Sequence, residues 1–119
     1  PHTFEPDTLS TQPKRPMFRP VSGRTTIGSG ETRVELIPAR GEFGERMMFA
    51  WLPGPRLLYS SDLIQRARPT GFFMIAMPAE VVDAAAREKI TAIDRVFGMH
   101  FTPTPWTEFT DAVRAVRGR

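Results

Sequence analysis

Cysteine is absent from this chain of 119 residues. Its absence excludes a disulfide framework, a thiolate nucleophile and a zinc–thiolate site, so any metal ion would need ligands from histidine, aspartate or glutamate. Histidine is almost as scarce, because only His2 and His100 occur. A serine–histidine–aspartate hydrolase site finds no support, since the one histidine of the folded part would have to serve every role.

Long apolar runs are absent as well. No stretch approaches the roughly 18 to 20 apolar residues that span a bilayer, and the N-terminus has no basic flank followed by an apolar core. We therefore expect a soluble protein with no membrane partner, and the composition leaves its compartment unknown. The formal net charge of +3 comes from arginines mixed with acids along the chain, which argues against a nucleic-acid partner.

Turn-forming residues, by contrast, are abundant. There are 12 prolines and 9 glycines, beside an ordinary 40% of hydrophobic and 24% of charged residues. We therefore expect many short elements rather than a bundle of long helices. The length suits one domain, which could bury roughly two-thirds of the surface of the unfolded chain.

The first residues differ in character from the rest. Residues 1–22 are rich in proline, serine and threonine and show little periodicity, which predicts a peripheral arm or linker. The folded domain is predicted to span residues 23–119. An arm at the start of a chain also raises the question of what preceded it.

Four short strands are predicted in the first half of the domain, at residues 25–27, 33–37, 46–52 and 56–59. Their close spacing favours antiparallel pairing. The third is apolar without interruption from Met47 onward, which is typical of a strand covered on both faces. A chain of this length would have difficulty supplying both layers, so we expect covering helices or a missing partner.

The second half of the domain changes to a helical pattern. A helix is predicted over residues 78–89, with a proline in its first turn and basic residues in its last. A strand follows at about residues 93–99, then a stiff loop at 102–105, and then a final helix that starts near Thr107 as its cap. This order of four strands, helix, strand and helix indicates an α/β (α+β) domain with mostly antiparallel strands.

Two metal-competent side chains come just after predicted strand ends. Asp62 follows two serines, and it could instead be a helix N-cap that satisfies free amides. His100 lies between an apolar strand and the stiff proline loop, where it could be a hydrogen-bonded packing residue or a ligand held in a fixed direction. The residues alone leave both readings open at each position.

The segments that contain these two residues are similar to a known family. Phe49-Ala-Trp-Leu-Pro-Gly-Pro-Arg-Leu-Leu-Tyr-Ser-Ser-Asp62 and Arg95-Val-Phe-Gly-Met-His100 resemble the C-terminal half of the metallo-β-lactamase fold superfamily. The resemblance covers about residues 24–117. It implies the C-terminal half of an αββα sandwich, with Asp62 as an aspartate that bridges two metal ions and His100 as a further metal ligand.

The same resemblance implies part of a zinc-dependent hydrolase in which a metal-bound hydroxide is the nucleophile. Two zinc ions would fit the complete site, and the small-molecule substrate is not identified. The implied partner is the missing N-terminal half or a second copy of the chain, because an uncovered sheet face predicts self-association. Asp62 and His100 supply two ligands where a hydrolytic zinc centre needs about three, so the chain alone is expected to be inactive.

The sequence departs from the family pattern at two places. The principal metal motif, His-x-His-x-Asp-His, is absent, which makes the chain resemble a C-terminal piece of a longer protein. Many members carry another histidine before the third strand, where Phe43 or a neighbour stands in this chain. Glu42 or Glu45 could replace that ligand, or could be solvated loop acids. These departures support an alternative, a metal-free structural or binding module derived from the same fold.

Overall fold

A computed structural model describes residues 7–43, 47–67 and 71–118. The strands are β1 (Thr25–Ile27), β2 (Val34–Pro38), β3 (Met48–Leu52), β4 (Leu57–Tyr59), β5 (Arg95–Gly98) and β6 (Phe101–Pro105). The helices are α1 (Thr8–Thr11), α2 (Ala76–Arg87) and α3 (Trp106–Arg117), and a 3₁₀ turn spans Gly30–Thr32. Within the described ranges, no helix has the length and hydropathy needed to cross a bilayer.

The six strands form one sheet in the order β1-β2-β3-β4-β5-β6. Every neighbouring pair is antiparallel except β4 and β5, which are parallel. A parallel pair needs a long crossover, and the connection that contains α2 supplies it. This mostly antiparallel sheet with two long helices confirms the predicted α+β class.

The parallel pair places several chain segments at one edge of the sheet. β4 and β5 both end there, and β3 begins there because it runs antiparallel to β4. The C-terminal end of β2 lies at the same edge, since Pro38 pairs with Met48 at the start of β3. We call this edge, with the turns after β4 and β5 and the loop between β2 and β3, the shared edge.

One face of the sheet carries the core. The pairs Ile37 with Phe49, and Leu58 with Val96, place apolar side chains on this face, and all four are buried. Both long helices pack against it, and the buried helical side chains that complete the core are Val81, Ala84, Ala85 and Phe109. The amphipathic faces of α2 and α3 therefore supply the covering layer on this side.

The opposite face is apolar but has no buried side chain in the described strands. The register lines up Leu36, Ala50, Tyr59 and Phe97 across four neighbouring strands of this face. Further large side chains on the same face are more open, and Met48 is 43% exposed. We call it the uncovered face. Thus the continuously apolar β3 is covered by the chain's own helices on one side only.

The structure corrects the sequence-based prediction near residue 102. The expected stiff loop at residues 102–105 is part of strand β6, which pairs with β5. Prolines are tolerated there because β6 is an edge strand, whose outer side needs no N–H donor. The last helix begins at Trp106, with Pro105 at the N-cap position and no side-chain cap. Thr107 is not the cap, and its carbonyl accepts a hydrogen bond from the Thr110 hydroxyl at 3.1 Å.

The strand ends of β4 and β5 approach each other closely at Gly98. A Cβ atom at this position would lie 2.8 Å from the carbonyl oxygen of Ser61 and 2.5 Å from a ring carbon of Phe101. Neither distance is compatible with a side chain in the present packing. Glycine is therefore required for the two turns of the shared edge to meet.

Arg66 ties the connection after β4 to the outer part of the fold. Its guanidinium donates to Glu108 of α3 at 2.6 Å and to the Thr104 hydroxyl of β6 at 3.2 Å. It also lies 5.5 Å from the centre of the Phe72 ring, within cation–π range. The hydrogen bond from Arg66 holds the pKa of Glu108 below its usual range, against a smaller opposing effect of burial.

The lowered pKa of Glu108 predicts a pH-dependent contribution to stability. Because the folded-state pKa is depressed, the contribution is present above the unfolded-state pKa and is lost as the pH falls through the folded-state value. The side chain is 45% exposed, so we expect Glu108→Gln to lower the free energy of unfolding by only about 0.5 kcal/mol at pH 7. Urea unfolding at pH 7 and near pH 3 measures this, with Asp111→Asn, which removes an exposed acid from the same helix, as control. If Glu108→Gln lowers the free energy of unfolding equally at pH 7 and near pH 3, the prediction is contradicted.

The close approach at Gly98 predicts a larger effect. Gly98→Ala should lower the free energy of unfolding by about 2 kcal/mol, because the backbone of the Ser61 turn must shift to admit the methyl group. Gly23→Ala is the matched control, since no atom lies within 4 Å of the Cβ it would add. Urea unfolding compares the two variants, and equal stability of both would show that the turns are not closely packed.

Candidate metal site

Backbone hydrogen bonds join the two turns of the shared edge. The Ser60 N–H donates to the Phe97 carbonyl at 2.9 Å, which continues the parallel ladder beyond β4. The Met99 N–H donates to the Ser61 carbonyl at 3.4 Å, which adds a second bond between the two turns. Asp62 and His100 follow these bonded residues directly. The backbone therefore brings the two candidate ligands side by side.

Ser61 redirects the chain just before Asp62. Its φ angle is 51°, in the left-handed region that residues other than glycine seldom adopt. A turn between Ser60 and Leu63 is closed by the Leu63 N–H, which donates to the Ser60 carbonyl at 3.1 Å. The chain thus leaves the strand direction at Ser61, and left-handed residues of this kind are enriched at functional sites.

The two candidate side chains meet in the structure. The Nε2 atom of His100 lies 2.9 Å from the Oδ1 atom of Asp62. The alignment is not that of a hydrogen bond, and Oδ1 is shielded from solvent with no hydrogen-bond partner. The side chains as a whole are open, with 60% of His100 and 42% of Asp62 exposed. A nitrogen and an oxygen atom of metal-binding type therefore converge, in side chains that are partly open to solvent.

This arrangement fits zinc in the type and spacing of its atoms. Zinc takes imidazole nitrogen and carboxylate oxygen at about 2.0 to 2.2 Å, so two ligands of one tetrahedral ion lie roughly 3.3 Å apart. The observed 2.9 Å between the His100 and Asp62 atoms is about 0.4 Å shorter than that value and is also the spacing of an ordinary ion pair. The shielded Oδ1 atom, which has no donor, would gain a partner in a cation.

The alternative interpretations from the sequence, a helix N-cap for Asp62 and a packing residue for His100, do not match the structure. Asp62 caps no helix, because the residues after it form a turn and α2 begins only at Ala76. His100 lies in the turn between β5 and β6 with most of its side chain exposed, so it is not a buried packing residue. The structure therefore brings together the two residues that the sequence singled out.

The other candidate ligands do not join this pair. Glu42 is exposed, and Phe43, at the place where a family histidine was expected, packs against the core. Glu45 and His2 lie outside the described residues. Across the ranges 7–43, 47–67 and 71–118, no group of three or more His, Asp or Glu side chains could hold a metal ion.

One residue at the shared edge was not predicted. Glu80 of α2 reaches the loop between β2 and β3, where its Oε1 atom accepts a hydrogen bond from the Phe43 N–H at 2.8 Å. The one sequence signal was an acid beside Val81, in the first half of an amphipathic helix. That signal does not identify a partner 37 residues away in the chain.

Comparison with family models gave no match, and none was found among curated protein sequences. Solved structures, in contrast, do match. A metallo-β-lactamase from Pontibacter korlensis aligns with a TM-score of 0.60 at 12% identity, over 93% of this chain and 54% of that protein. The metallo-β-lactamase DIM-1 aligns with a TM-score of 0.58 at 15% identity, over 92% of this chain and 53% of that protein. TMB-1 aligns with a TM-score of 0.56 at 14% identity, over 92% of this chain and 52% of that protein.

These matches concern the fold, since identities of 12% to 15% carry no information about activity. The chain spans about half the length of the solved structures that it matches. Its sheet, with α2 and α3 on one side, corresponds to that half. The chain therefore has the fold of one half of a metallo-β-lactamase.

Proposed function

We propose that this chain is the C-terminal half of a metal-dependent hydrolase of the metallo-β-lactamase fold, with Asp62 and His100 as zinc ligands. The observation that carries the proposal is the 2.9 Å approach of the His100 Nε2 and Asp62 Oδ1 atoms at the end of two parallel strands. The fold matches add support, because they extend over nearly the whole of the chain.

The two residues have complementary tasks in this proposal. Asp62 offers a carboxylate oxygen that is shielded from water, so that its negative charge is available to a cation. His100 offers a ring nitrogen from the opposite turn. A bound zinc ion would lower the pKa of a water molecule toward neutrality and so provide a nucleophile for an ester, amide, thioester or phosphoester. The exposed side of both residues leaves room for a substrate.

The proposal also requires a second layer. The uncovered face presents a row of apolar side chains at Leu36, Ala50, Tyr59 and Phe97 with nothing packed on them in the described structure. In the complete protein, we propose that the other half of the domain covers this face and supplies the remaining metal ligands. When the chain is alone, a second copy takes the place of that layer.

A specific observation favours a second candidate function, a metal-free structural or binding module. Phe43 packs against the core at the place of an expected ligand, and the described residues contain no third ligand. A family-derived module that had lost its chemistry would show this pattern. Zinc binding by the 119-residue chain discriminates between the two functions.

The metal proposal predicts the behaviour of two variants. Asp62→Asn and His100→Ala should each weaken zinc binding at least about tenfold, because each removes one of two visible ligands. Both side chains are exposed, so the thermal unfolding of the metal-free protein should change little. Isothermal titration with zinc and thermal unfolding measure the two effects.

The control for these variants is Asp111→Asn, which removes an exposed carboxylate from α3 and should leave zinc binding unchanged. Full zinc content in the His100→Ala protein would refute the ligand role of His100. If the unaltered chain takes up no zinc, the hydrolase proposal fails for this chain and the metal-free module is favoured.

The second layer predicts self-association of the isolated chain. Native mass spectrometry should show dimers, and Leu36→Lys should weaken the dimer at least about tenfold by placing a charge in the middle of the uncovered face. Val116→Lys is the matched control, since Val116 is an exposed apolar residue of α3 in the helical layer. A monomeric unaltered chain, or a dimer that Leu36→Lys leaves intact, would contradict the prediction.

A further inference from the structure

We propose that Glu80 is a positioning residue, which fixes residues 39–43 of the loop between β2 and β3 at the shared edge that also carries Asp62 and His100. The proposal rests on the proposed metal site. Glu80 belongs to α2 and touches neither candidate ligand in the described contacts. Its influence on the site would pass through the loop and through the packing behind Asp62.

Glu80 contacts the loop directly. The Oε1 atom accepts a hydrogen bond from the Phe43 N–H at 2.8 Å. An ionised acceptor makes such a bond stronger than one between neutral groups. The loop begins where the Ala39 N–H donates to the Met47 carbonyl at 2.9 Å, so the contact to Phe43 holds a point inside the loop. Helix α2 therefore anchors the backbone of the loop at Phe43, whose ring also packs against the core.

Gly41 of the loop fits closely against the same carboxylate. A Cβ atom on Gly41 would lie about 2 Å from the carboxyl carbon and both oxygens of Glu80, at distances of 1.9, 2.1 and 2.2 Å. No atom other than hydrogen can occupy that place while Glu80 stays where it is. The φ angle of Gly41 is outside the left-handed region, so its backbone would accept alanine. Gly41 has no room for a side chain because the Glu80 carboxylate fills the space, whereas its backbone conformation does not require glycine.

A cavity connects this contact to the candidate site. Gly41 and Glu80 line a cavity of about 220 Å³ together with Leu63, the residue that follows Asp62. Leu63 is fully buried, so a displaced loop would alter the packing behind the turn that carries Asp62. The loop and that turn both belong to the shared edge. Glu80 thus contacts the loop at Phe43 and lines the same cavity as Leu63.

In the described structure, Glu80 does not serve as an ion-pair partner between the two helices, in contrast to the other acid of the cavity. Asp83 lines the same cavity, but both of its oxygens bind Arg117 of α3, at 2.9 and 2.6 Å. Glu80 makes no ion pair among the described residues, and its Oε2 atom is shielded without a hydrogen-bond partner. Within the cavity, Glu80 is the acid that reaches the loop.

Variants from both sides of the contact test the proposal. Glu80→Ala removes the acceptor and should weaken zinc binding about tenfold, the lower end of the effect of residues that support metal ligands. Glu80→Gln should restore most of the binding, because the amide oxygen can accept the same Phe43 N–H. Gly41→Ala should weaken binding in the unaltered protein but add little to Glu80→Ala, where the carboxylate that the methyl group would meet is gone. Asp83→Asn is the control from the same helix and cavity.

Backbone amide shifts provide a readout that does not need metal. In the metal-free protein, Glu80→Ala should move the amide resonances of Leu63 and His100 as well as that of Phe43. A change confined to Phe43, or unchanged zinc affinity in Glu80→Ala when the unaltered chain binds zinc, would overturn the positioning role. If the unaltered chain binds no zinc, the proposed function fails, and the amide shifts of Leu63 and His100 alone decide the role of Glu80.

Discussion

The parallel pairing of β4 with β5 is the constraint on which the rest of the structure depends. In a purely antiparallel sheet, consecutive strands would end at opposite edges, and Asp62 and His100 would lie at opposite ends of the fold. The crossover through α2 reverses this arrangement and brings both residues to one edge. Gly98 then allows the two turns to touch. The same crossover places α2 on the core face, so the position of the candidate site and the packing of α2 share one cause.

Two features of the chain agree with the proposed missing half. The helices cover one face of the apolar sheet, and the two candidate ligands are fewer than the three or so that a hydrolytic zinc centre needs. A single missing layer would explain both deficits, because a second sheet packed on the uncovered face would also reach the shared edge. The fold comparison, at about half the length of the matched structures, agrees with a missing layer and concerns the fold alone.

Sequence reasoning predicted the elements that have strong local signals. The strands at Thr25–Ile27 and Leu57–Tyr59, the two long helices and the meeting of Asp62 with His100 all follow from patterns and from the family resemblance. Strand β6 was missed because its prolines are typical of loops, and only its place at the edge of the sheet makes them acceptable. The positive φ of Ser61 and the contact of Glu80 with the loop depend on tertiary packing, which leaves no local signal.

The position of Phe43 links packing to chemistry. The Phe43 ring packs against the core, and the Phe43 N–H donates to Glu80. The loop is therefore fixed at Phe43, whose side chain is not a metal ligand and adds nothing to the pair of Asp62 and His100. Asp62 and His100 are well oriented as candidate ligands, because backbone hydrogen bonds join the two turns that carry them. Orientation determines where a metal would bind, whereas the number of ligands determines how tightly. Under the proposed function, the described part of the chain would define where a metal binds, and ligands from another layer would tighten that binding.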